Sequence, residues 1–216
     1  MSMRRLPIYL VIDTSGSMLG APINAVTQAL QVFQAALNSD PRAIETVFVS
    51  VITFDSVARQ VTPLTDVPSF KPPILQASGI TCLGDALKML EECIRRECVK
   101  NSTETQKGDW KPLVFIFTDG QPTDSWQDAA DYLKKQKVGN IIACAAGDSA
   151  DEEMLKNLSP TVVKVNDTTE QSIKAFFNWV TQTVLLTSQS VGTNPQAAQQ
   201  SFTLPTTLPP GIVIVP

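Results

Sequence analysis

The fold of this chain is indicated by one short stretch near its start, residues 8–20, which reads IYLVIDTSGSMLG. Residues 8–12 are all apolar and do not alternate with polar residues, which is typical of a strand buried on both faces of a parallel sheet. A carboxylate and two hydroxyls, on Asp13, Ser15 and Ser17, follow this run with no spacer. The stretch therefore predicts a buried strand that ends abruptly at a polar loop.

Further apolar runs of strand length recur along the chain, separated by helical patterns. The strong runs are residues 47–54, 113–117 and 141–146, and the weaker ones are 58–62 and 162–165. Between them, apolar residues step by three and four, as on one face of an amphipathic helix. Strands that alternate with helices predict a doubly wound α/β domain, whose mainly parallel six-stranded sheet carries helices on both faces. We expect this domain to occupy residues 1–187.

Composition excludes several classes of function. The chain has 216 residues and a formal net charge of -4, and it holds no dense cluster of Lys and Arg, so nucleic-acid binding is disfavoured. Its apolar runs fall short of the roughly 20 residues that a membrane span needs. The first apolar run is interrupted by Asp13 and no cleavage site follows it, so a secretory signal is not predicted and we expect a cytoplasmic protein.

The absence of histidine removes a further set of mechanisms. Without it, the chain has no Ser-His-Asp or Cys-His nucleophile and no zinc site that needs imidazole. The four cysteines are Cys82, Cys93, Cys98 and Cys144. They form no CxxC pair, and we expect reduced packing residues.

The composition changes near the C-terminus. Residues 188–216 are rich in Thr, Ser, Gln and Pro, which predicts a tail that is either flexible or docked. Its last piece, residues 211–216, is apolar and β-branched. Two interpretations remain open for this piece: a strand added to a sheet edge or laid in a groove, or a disordered end.

Polar oxygen donors follow the strands at the positions where an α/β sheet binds ligands, which are the carboxyl ends of its strands. They are Asp13, Ser15, Ser17, Thr81 and Asp119. In an extended turn, residues at i, i+2 and i+4 can point the same way, so the first three can converge on one ion. Hard oxygen donors suit Mg²⁺. Two aspartates and three hydroxyls would leave such an ion electrophilic, with a position open for the Asp or Glu carboxylate of a partner.

Each of these segments has a simpler interpretation when taken alone. Asp13 or Ser17 could cap the helix that follows, and Thr81 or residues 118–120 could belong to ordinary turns. The three segments together, each at the end of a strand or the start of a helix, favour a metal site.

This pattern resembles the metal-ion-dependent adhesion site of the von Willebrand factor A domain. Asp13-x-Ser15-x-Ser17, Thr81 and Thr118-Asp119-Gly120 match the motif in the order of the family. The resemblance implies one short antiparallel edge strand, here residues 58–62. It also implies that Ser15, Ser17 and Thr81 coordinate Mg²⁺ directly, with Asp13 and Asp119 acting directly or through water, and with Mn²⁺ and Ca²⁺ as alternative ions.

A narrower resemblance concerns the segments TDGQPTD (118–124) and ITCLGDAL (80–87), which are similar to the bacterial TerY-like branch of tellurium-resistance proteins. It implies a cytoplasmic stress-response component that works with other Ter proteins or with an associated kinase or phosphatase. Asp124 and Asp85 lie near the motif and are candidates for orienting its hydroxyls, although for Asp85 the position of a first-turn helix residue favoured by the helix dipole is preferred.

Two hypotheses of function follow. The first is a non-enzymatic, Mg²⁺-dependent protein-interaction module. The second is a Mg²⁺-dependent phosphatase or phosphotransferase of the haloacid-dehalogenase type, which also places Asp after its first strand. That class requires a second Asp two residues later, where this chain has Ser15, so the first hypothesis is favoured.

Overall fold

The elements alternate along the chain as the apolar pattern predicts. The computed structural model describes residues 4–100, 108–136, 138–193 and 202–215. The strands are β1 (Leu6–Asp13), β2 (Val47–Phe54), β3 (Ala58–Asp66), β4 (Leu113–Thr118), β5 (Asn140–Ala146), β6 (Thr161–Val165) and β7 (Ile212–Val215). The helices are α1 (Ala21–Asn38), α2 (Pro41–Thr46), α3 (Leu83–Glu97), α4 (Gln127–Gln136), α5 (Glu152–Leu158) and α6 (Glu170–Thr193).

The strands form one sheet in the order β3-β2-β1-β4-β5-β6-β7. The five central strands are parallel, and β3 and β7 pair antiparallel at the two edges. The strand order reverses between β1 and β4, so this sheet has the predicted doubly wound topology. The predicted fold class is confirmed.

Strand β1 shows why its apolar run lacks polar alternation. All eight of its residues are buried. Ile8, Leu10 and Ile12 contribute to a core shared with α1 and α6, whereas Tyr9 and Val11 contribute to a second core shared with α3, α4 and α5. Because helices cover both faces, both sets of side chains must be apolar.

The prediction of six strands with one antiparallel edge was wrong, because the tail supplies a seventh. Ile212–Val215 pairs antiparallel with β6, in a register that joins Val165 to Ile212 and Val162 to Val215. Phe202 and Leu204 pack against the first core. Of the two interpretations left open for residues 211–216, the structure has the sheet-edge strand, because burying this apolar piece and pairing its backbone stabilises it.

Two other boundaries differ from the sequence pattern. Helix α6 continues to Thr193, beyond the change of composition near residue 187. Strand β3 runs to Asp66, four residues past the predicted 58–62, with register shifts against β2. The part of the predicted tail at residues 194–201 lies outside the described residues.

The four cysteines are free thiols, and Cys82, Cys93 and Cys144 are buried. Burial raises the pKa of the Cys93 and Cys98 thiols to about 11, and it raises the pKa of Cys144 well above its ordinary value. These thiols therefore stay protonated at neutral pH and serve in packing.

Within the described ranges, none of the helices combines the length and the apolar composition that crossing a bilayer requires.

Candidate functional site

The candidate site lies where β1 and β4 end side by side. These strands pair in parallel, with Ile12 opposite Phe117. Asp13 is the last residue of β1, Thr118 is the last residue of β4, and Asp119 follows it. Parallel pairing therefore brings polar residues that are more than 100 positions apart to the same edge of the sheet.

Asp13 organises the loop that follows it. Its side chain is fully buried. Its Oδ1 accepts a hydrogen bond from the Ser15 amide at 2.8 Å, and its Oδ2 accepts one from Thr118 Oγ1 at 2.6 Å. Burial raises the pKa of Asp13, although the bonds from Ser15 and Thr118 oppose that shift. The carboxylate thus ties the end of β4 to the first turn after β1.

Ser15, Ser17 and Asp119 form a continuous chain of oxygens. Ser17 Oγ donates to Asp119 Oδ1 at 2.7 Å, and Ser15 Oγ lies 3.1 Å from Ser17 Oγ. Because the single hydroxyl hydrogen of Ser17 is directed at Asp119, Ser15 is the donor to Ser17. A short 3₁₀ turn, Gly16–Met18, brings the two serines together.

Thr81 reaches the same place from a different loop. A Cβ atom added to Gly120 would lie 3.3 Å from Thr81 Oγ1 and 4.0 Å from Ser17 Oγ. Both hydroxyls therefore face the same small volume beside the Gly120 backbone. All five residues predicted for the site are brought together at this edge, with Ser17 the exposed member.

The loop that carries Thr81 is held between its neighbours by backbone hydrogen bonds. The Gly16 amide donates to Gly79 O at 3.1 Å and the Ser78 amide donates to Thr14 O at 2.8 Å. On the other side, the Thr123 amide donates to Thr81 O at 2.8 Å. The position of Thr81 is thus set by contacts with the loops after both β1 and β4.

The simpler interpretation, in which Asp13 or Ser17 caps the helix that follows, does not hold for α1. Its N-cap is Gly20, with φ of 84° and no side-chain capping bond. Instead, the Asp13 carboxylate binds the Ser15 amide, and the Ser17 hydroxyl binds Asp119. The hydroxyls are therefore directed at the oxygen cluster rather than at the amides of α1.

The suggestion that Asp124 and Asp85 orient the hydroxyls was wrong, whereas the favoured interpretation of Asp85, an acidic residue in the first turn of a helix, is confirmed in α3. Asp124 Oδ1 and Oδ2 accept hydrogen bonds at 3.0 Å from the amides of Gly84 and Asp85, so Asp124 caps helix α3 from another loop. The Asp85 carboxylate is exposed and lies 3.3 Å from Lys88 Nζ. A helix N-terminus offers unpaired amides, which a carboxylate satisfies well.

Gly84 shows how closely the Asp124 loop packs on α3. A Cβ atom at this position would lie 2.4 Å from Ser125 O and 2.9 Å from Asp124 Oδ2. Only glycine fits this approach, and the contact couples the loop of Asp119 to the helix that begins after Thr81. Two features of the sequence could have indicated this contact: Gly84 near the start of a helix, and Asp124, the second Asp of TDGQPTD.

Neither carboxylate of the site is paired with a cationic side chain in the part of the chain that the structure describes. The ion pairs of the described residues involve neither Asp13 nor Asp119. Burial raises the pKa of Asp119, with the bond from Ser17 opposing the shift. Across the described part of the chain there is no group of three or more His, Cys, Asp or Glu that could chelate a metal. The donor set is instead two carboxylates with three hydroxyls, which suits a hard divalent cation that keeps open positions.

Comparison with known families gives one match, over most of the chain. The sequence profile of the von Willebrand factor type A domain matches residues 8–179. No curated protein sequence matches the chain.

Solved structures with the same fold share little sequence with it. A von Willebrand factor type A protein from Catenulispora acidiphila has a TM-score of 0.64 and 17% identity, and the match covers 85% of this chain and 43% of that one. The pilus adhesin SpaC from Lactobacillus rhamnosus GG has a TM-score of 0.64 and 16% identity, covering 86% of this chain and 31% of the adhesin. Proximal thread matrix protein 1 from the mussel byssus has a TM-score of 0.60 and 16% identity, covering 84% of this chain and 48% of that one. The chain thus spans less than half the length of each.

Proposed function

Because this chain belongs to the von Willebrand factor type A domain family, we propose that it is a Mg²⁺-dependent protein-interaction module. In this proposal, Asp13, Ser15, Ser17, Thr81 and Asp119 hold the ion, and the ion binds an Asp or Glu carboxylate presented by a partner protein. Mn²⁺ and Ca²⁺ are the alternative ions.

The observation that carries the proposal is the chain of oxygens from Ser15 through Ser17 to Asp119. These three side chains lie on two loops and are joined in series by two contacts of hydrogen-bonding length. The carboxylates of Asp119 and of the neighbouring Asp13 are both buried, and among the described residues neither forms an ion pair with Lys or Arg. Burying carboxylates without a compensating charge costs free energy, and a divalent cation removes that cost. When bound, the ion would supply a positive charge for an external carboxylate.

The residues of the chain have separate tasks in this scheme. Asp13 holds the first turn against β4 through its two hydrogen bonds, so its main contribution is to fix the position of Ser15. Asp119 accepts from Ser17 and brings the second negative charge. Thr81 is held in place through its backbone, and Asp124 supports it by joining its helix to the Asp119 loop.

The module is proposed to be non-enzymatic. The chain has no histidine to act as a general base, and Ser15 stands where a haloacid-dehalogenase enzyme needs its second Asp. Both oxygens of Asp13 already accept hydrogen bonds, which lowers their availability as nucleophiles. The alternative function, a phosphatase or phosphotransferase, has no support from the family match.

We place the module, as part of the same proposal, in a bacterial tellurite- and stress-resistance system in the cytoplasm. The support is the resemblance of residues 118–124 and 80–87 to the TerY-like branch. Other Ter proteins, or a kinase or phosphatase of that system, are then the partners to test for carboxylate-dependent capture.

Metal binding is tested by isothermal titration calorimetry with MgCl₂. We expect saturable binding by the wild-type protein and its loss in Asp119→Ala and in the Ser15→Ala/Ser17→Ala double variant. The matched controls are Asp131→Ala, which removes an exposed carboxylate from α4, and Ser69→Ala, which removes an exposed hydroxyl at the opposite edge of the sheet. Both controls should bind as the wild type does. Equal binding by Asp119→Ala and wild type would contradict the proposal.

A further inference from the structure

Large apolar side chains are exposed on three loops around the oxygen cluster. Leu19 is 64% exposed, Ile80 is 53% exposed and Val57 is 44% exposed. We refer to Leu19, Val57 and Ile80 as the apolar collar. Leu19 follows the turn of Ser15 and Ser17, and Ile80 directly precedes Thr81. Exposed apolar groups gathered around a polar centre are typical of a binding surface.

Backbone contacts hold the three loops of the collar together. The Gly16 amide donates to Gly79 O at 3.1 Å, which joins the first loop to the loop of Ile80. The Ile80 amide donates to Ser56 Oγ at 3.3 Å, beside Val57. The Leu19 amide closes the 3₁₀ turn by donating to Gly16 O at 3.2 Å. The collar is therefore a fixed feature of this edge and is continuous with the candidate site.

The loops at this edge are also strongly acidic. Segments 13–20, 55–57, 77–82, 118–126 and 146–151 contain no Lys or Arg. Their six aspartates are Asp13, Asp55, Asp119, Asp124, Asp148 and Asp151.

Cations from the neighbouring strands balance only part of this charge. Arg59 lies 3.1 Å from Asp55. Lys164 lies 3.8 Å from Asp148, and it is shared with Glu152, which is closer at 2.7 Å. Four aspartates are left, and a divalent cation would offset two of their charges. The edge therefore stays negative even when a metal is bound, and it repels a partner segment that is acidic overall.

From the collar and this charge we infer the chemistry of the partner segment: one Asp or Glu with bulky apolar residues next to it and Lys or Arg beyond them. This inference rests on the proposed function, because the central carboxylate is the group that the metal site receives. The apolar neighbours cover the collar and exclude water from the oxygen cluster, and the outer cations complement the acidic loops. Segments with the same carboxylate in an acidic or purely polar context bind weakly.

Four labelled peptides test this inference by fluorescence anisotropy in MgCl₂ with the full chain. Their sequences are Lys-Leu-Asp-Leu-Lys, Lys-Ser-Asp-Ser-Lys, Glu-Leu-Asp-Leu-Glu and Lys-Leu-Asn-Leu-Lys. We expect the first to bind tightest, and loss of its two leucines to lower the affinity about tenfold, as expected for two apolar contacts that are each only partly buried. The Glu-flanked peptide should bind more weakly still, and its affinity should rise with added salt, because salt screens its repulsion from the edge.

Changes in the collar should weaken the binding of peptides with leucine flanks and leave the serine-flanked peptide unaffected. The Leu19→Ser/Ile80→Ser double variant should bind Lys-Leu-Asp-Leu-Lys about tenfold more weakly, while its affinity for Lys-Ser-Asp-Ser-Lys stays at the wild-type value. Its heat of MgCl₂ binding should be unchanged, since neither residue is a proposed ligand. The control Val32→Ser removes an apolar side chain on α1 with the same 53% exposure as Ile80 and should bind every peptide as the wild type does.

The outcomes separate this inference from the proposed function. If the Asn peptide binds as tightly as the Asp peptide, the carboxylate-capturing function fails, and the inference fails with it. If the Asp is needed but leucine and serine flanks bind equally, the inference is wrong while the proposed function stands. Self-association of the wild type that the collar variant abolishes, with unchanged peptide binding, would make the collar an interface between copies and overturn the inference. Absence of saturable binding by all four peptides contradicts both.

Discussion

The two ends of the parallel strands both bury carboxylates, but they balance them in opposite ways. We call the end that holds the amino termini of β1 and β4 the amino edge, and the end that holds the candidate site the carboxyl edge. At the amino edge, the side chain of Asp109 is 5% exposed. Its carboxylate accepts hydrogen bonds from Arg5 Nε at 2.9 Å and from an Arg5 terminal nitrogen at 2.6 Å. The Val99 amide adds a third bond at 2.8 Å. At the carboxyl edge, Asp13 and Asp119 are buried with hydroxyls and amides as their partners.

This difference between the two edges affects the pKa values of the charged side chains. The hydrogen bond with Asp109 raises the pKa of Arg5, so this pair is internally neutralised. Burial raises the pKa of Asp13 and of Asp119, and no Lys or Arg of residues 4–100, 108–136, 138–193 or 202–215 pairs with either carboxylate to oppose this shift. A carboxylate that carries its own cation serves stability, whereas a buried carboxylate without one is a place for an external cation.

The largest effect is expected for Asp109→Ala. Removing Asp109 leaves the partly buried Arg5 guanidinium without its counter-charge and the Val99 amide without its acceptor, and should lower the free energy of unfolding by about 3 kcal/mol. Urea denaturation followed by circular dichroism measures this change. MgCl₂ binding should be unaffected, because the pair lies at the other edge. A variant that lost metal binding but kept its stability would reverse our assignment of the two edges.

Asp119→Ala should behave in the opposite way. In chelator its free energy of unfolding should equal or exceed that of the wild type, since a buried, unbalanced carboxylate has been removed. With metal at 100 times the dissociation constant, the wild type should gain about 2.7 kcal/mol of stability and the variant should gain none. Thermal unfolding in MgCl₂ and in chelator measures both quantities. A marked loss of stability in chelator would show that Asp119 is a structural group like Asp109.

Asp124→Ala tests the connection between the loops of the site. Loss of the two bonds to the amides of Gly84 and Asp85 should lower the free energy of unfolding by about 1.5 kcal/mol, as for other N-cap substitutions. Metal affinity should also fall, because Thr81 is no longer held near Asp119. Asp124→Asn keeps one acceptor oxygen and should lie between the alanine variant and the wild type. Calorimetry with MgCl₂ and urea denaturation give the two readouts, and a stability loss with unchanged affinity would limit Asp124 to capping.

The smallest effect is expected at the amino edge, for Arg4→Ala. The Arg4 guanidinium lies 3.6 Å from the centre of the Trp110 ring and donates to Gly108 O at 2.7 Å and to Asp109 O at 3.2 Å. Because the side chain is partly exposed, its removal should cost about 1 kcal/mol. Arg4→Lys should recover part of this. Urea denaturation resolves the difference when several melts are averaged, and the fluorescence of Trp110 should report the lost contact. A loss as large as that of Asp109→Ala would mean that the edge depends on both arginines together.

Much of the fold could be predicted because burial acts locally on the sequence. The unbroken apolar run at residues 8–12 and the stepped pattern of residues 23–37 reflect how many faces of each element are covered. The strand β7 could not be predicted with the same certainty. Residues 212–215 have the composition of a strand, but their partner β6 lies some fifty residues earlier, and only the folded sheet shows that its edge is free to receive them.

The candidate site also has a part that could be predicted from the sequence and a part that could not. Its five oxygen donors could be predicted, because each follows a strand or precedes a helix. The role of Asp124 was missed, since its partners are the amides of Gly84 and Asp85, forty positions away, and backbone amides leave no mark on composition.

The sequence by itself thus determined the α/β class, the parallel centre of the sheet and the set of oxygen donors at the ends of its strands, because hydrophobic periodicity and side-chain chemistry are local properties. Only the tertiary structure decided how the oxygens of Ser15, Ser17 and Asp119 meet, which loops fix Thr81, and where the tail docks. Those outcomes depend on contacts between distant segments, whose distances are set by the packing of the whole domain.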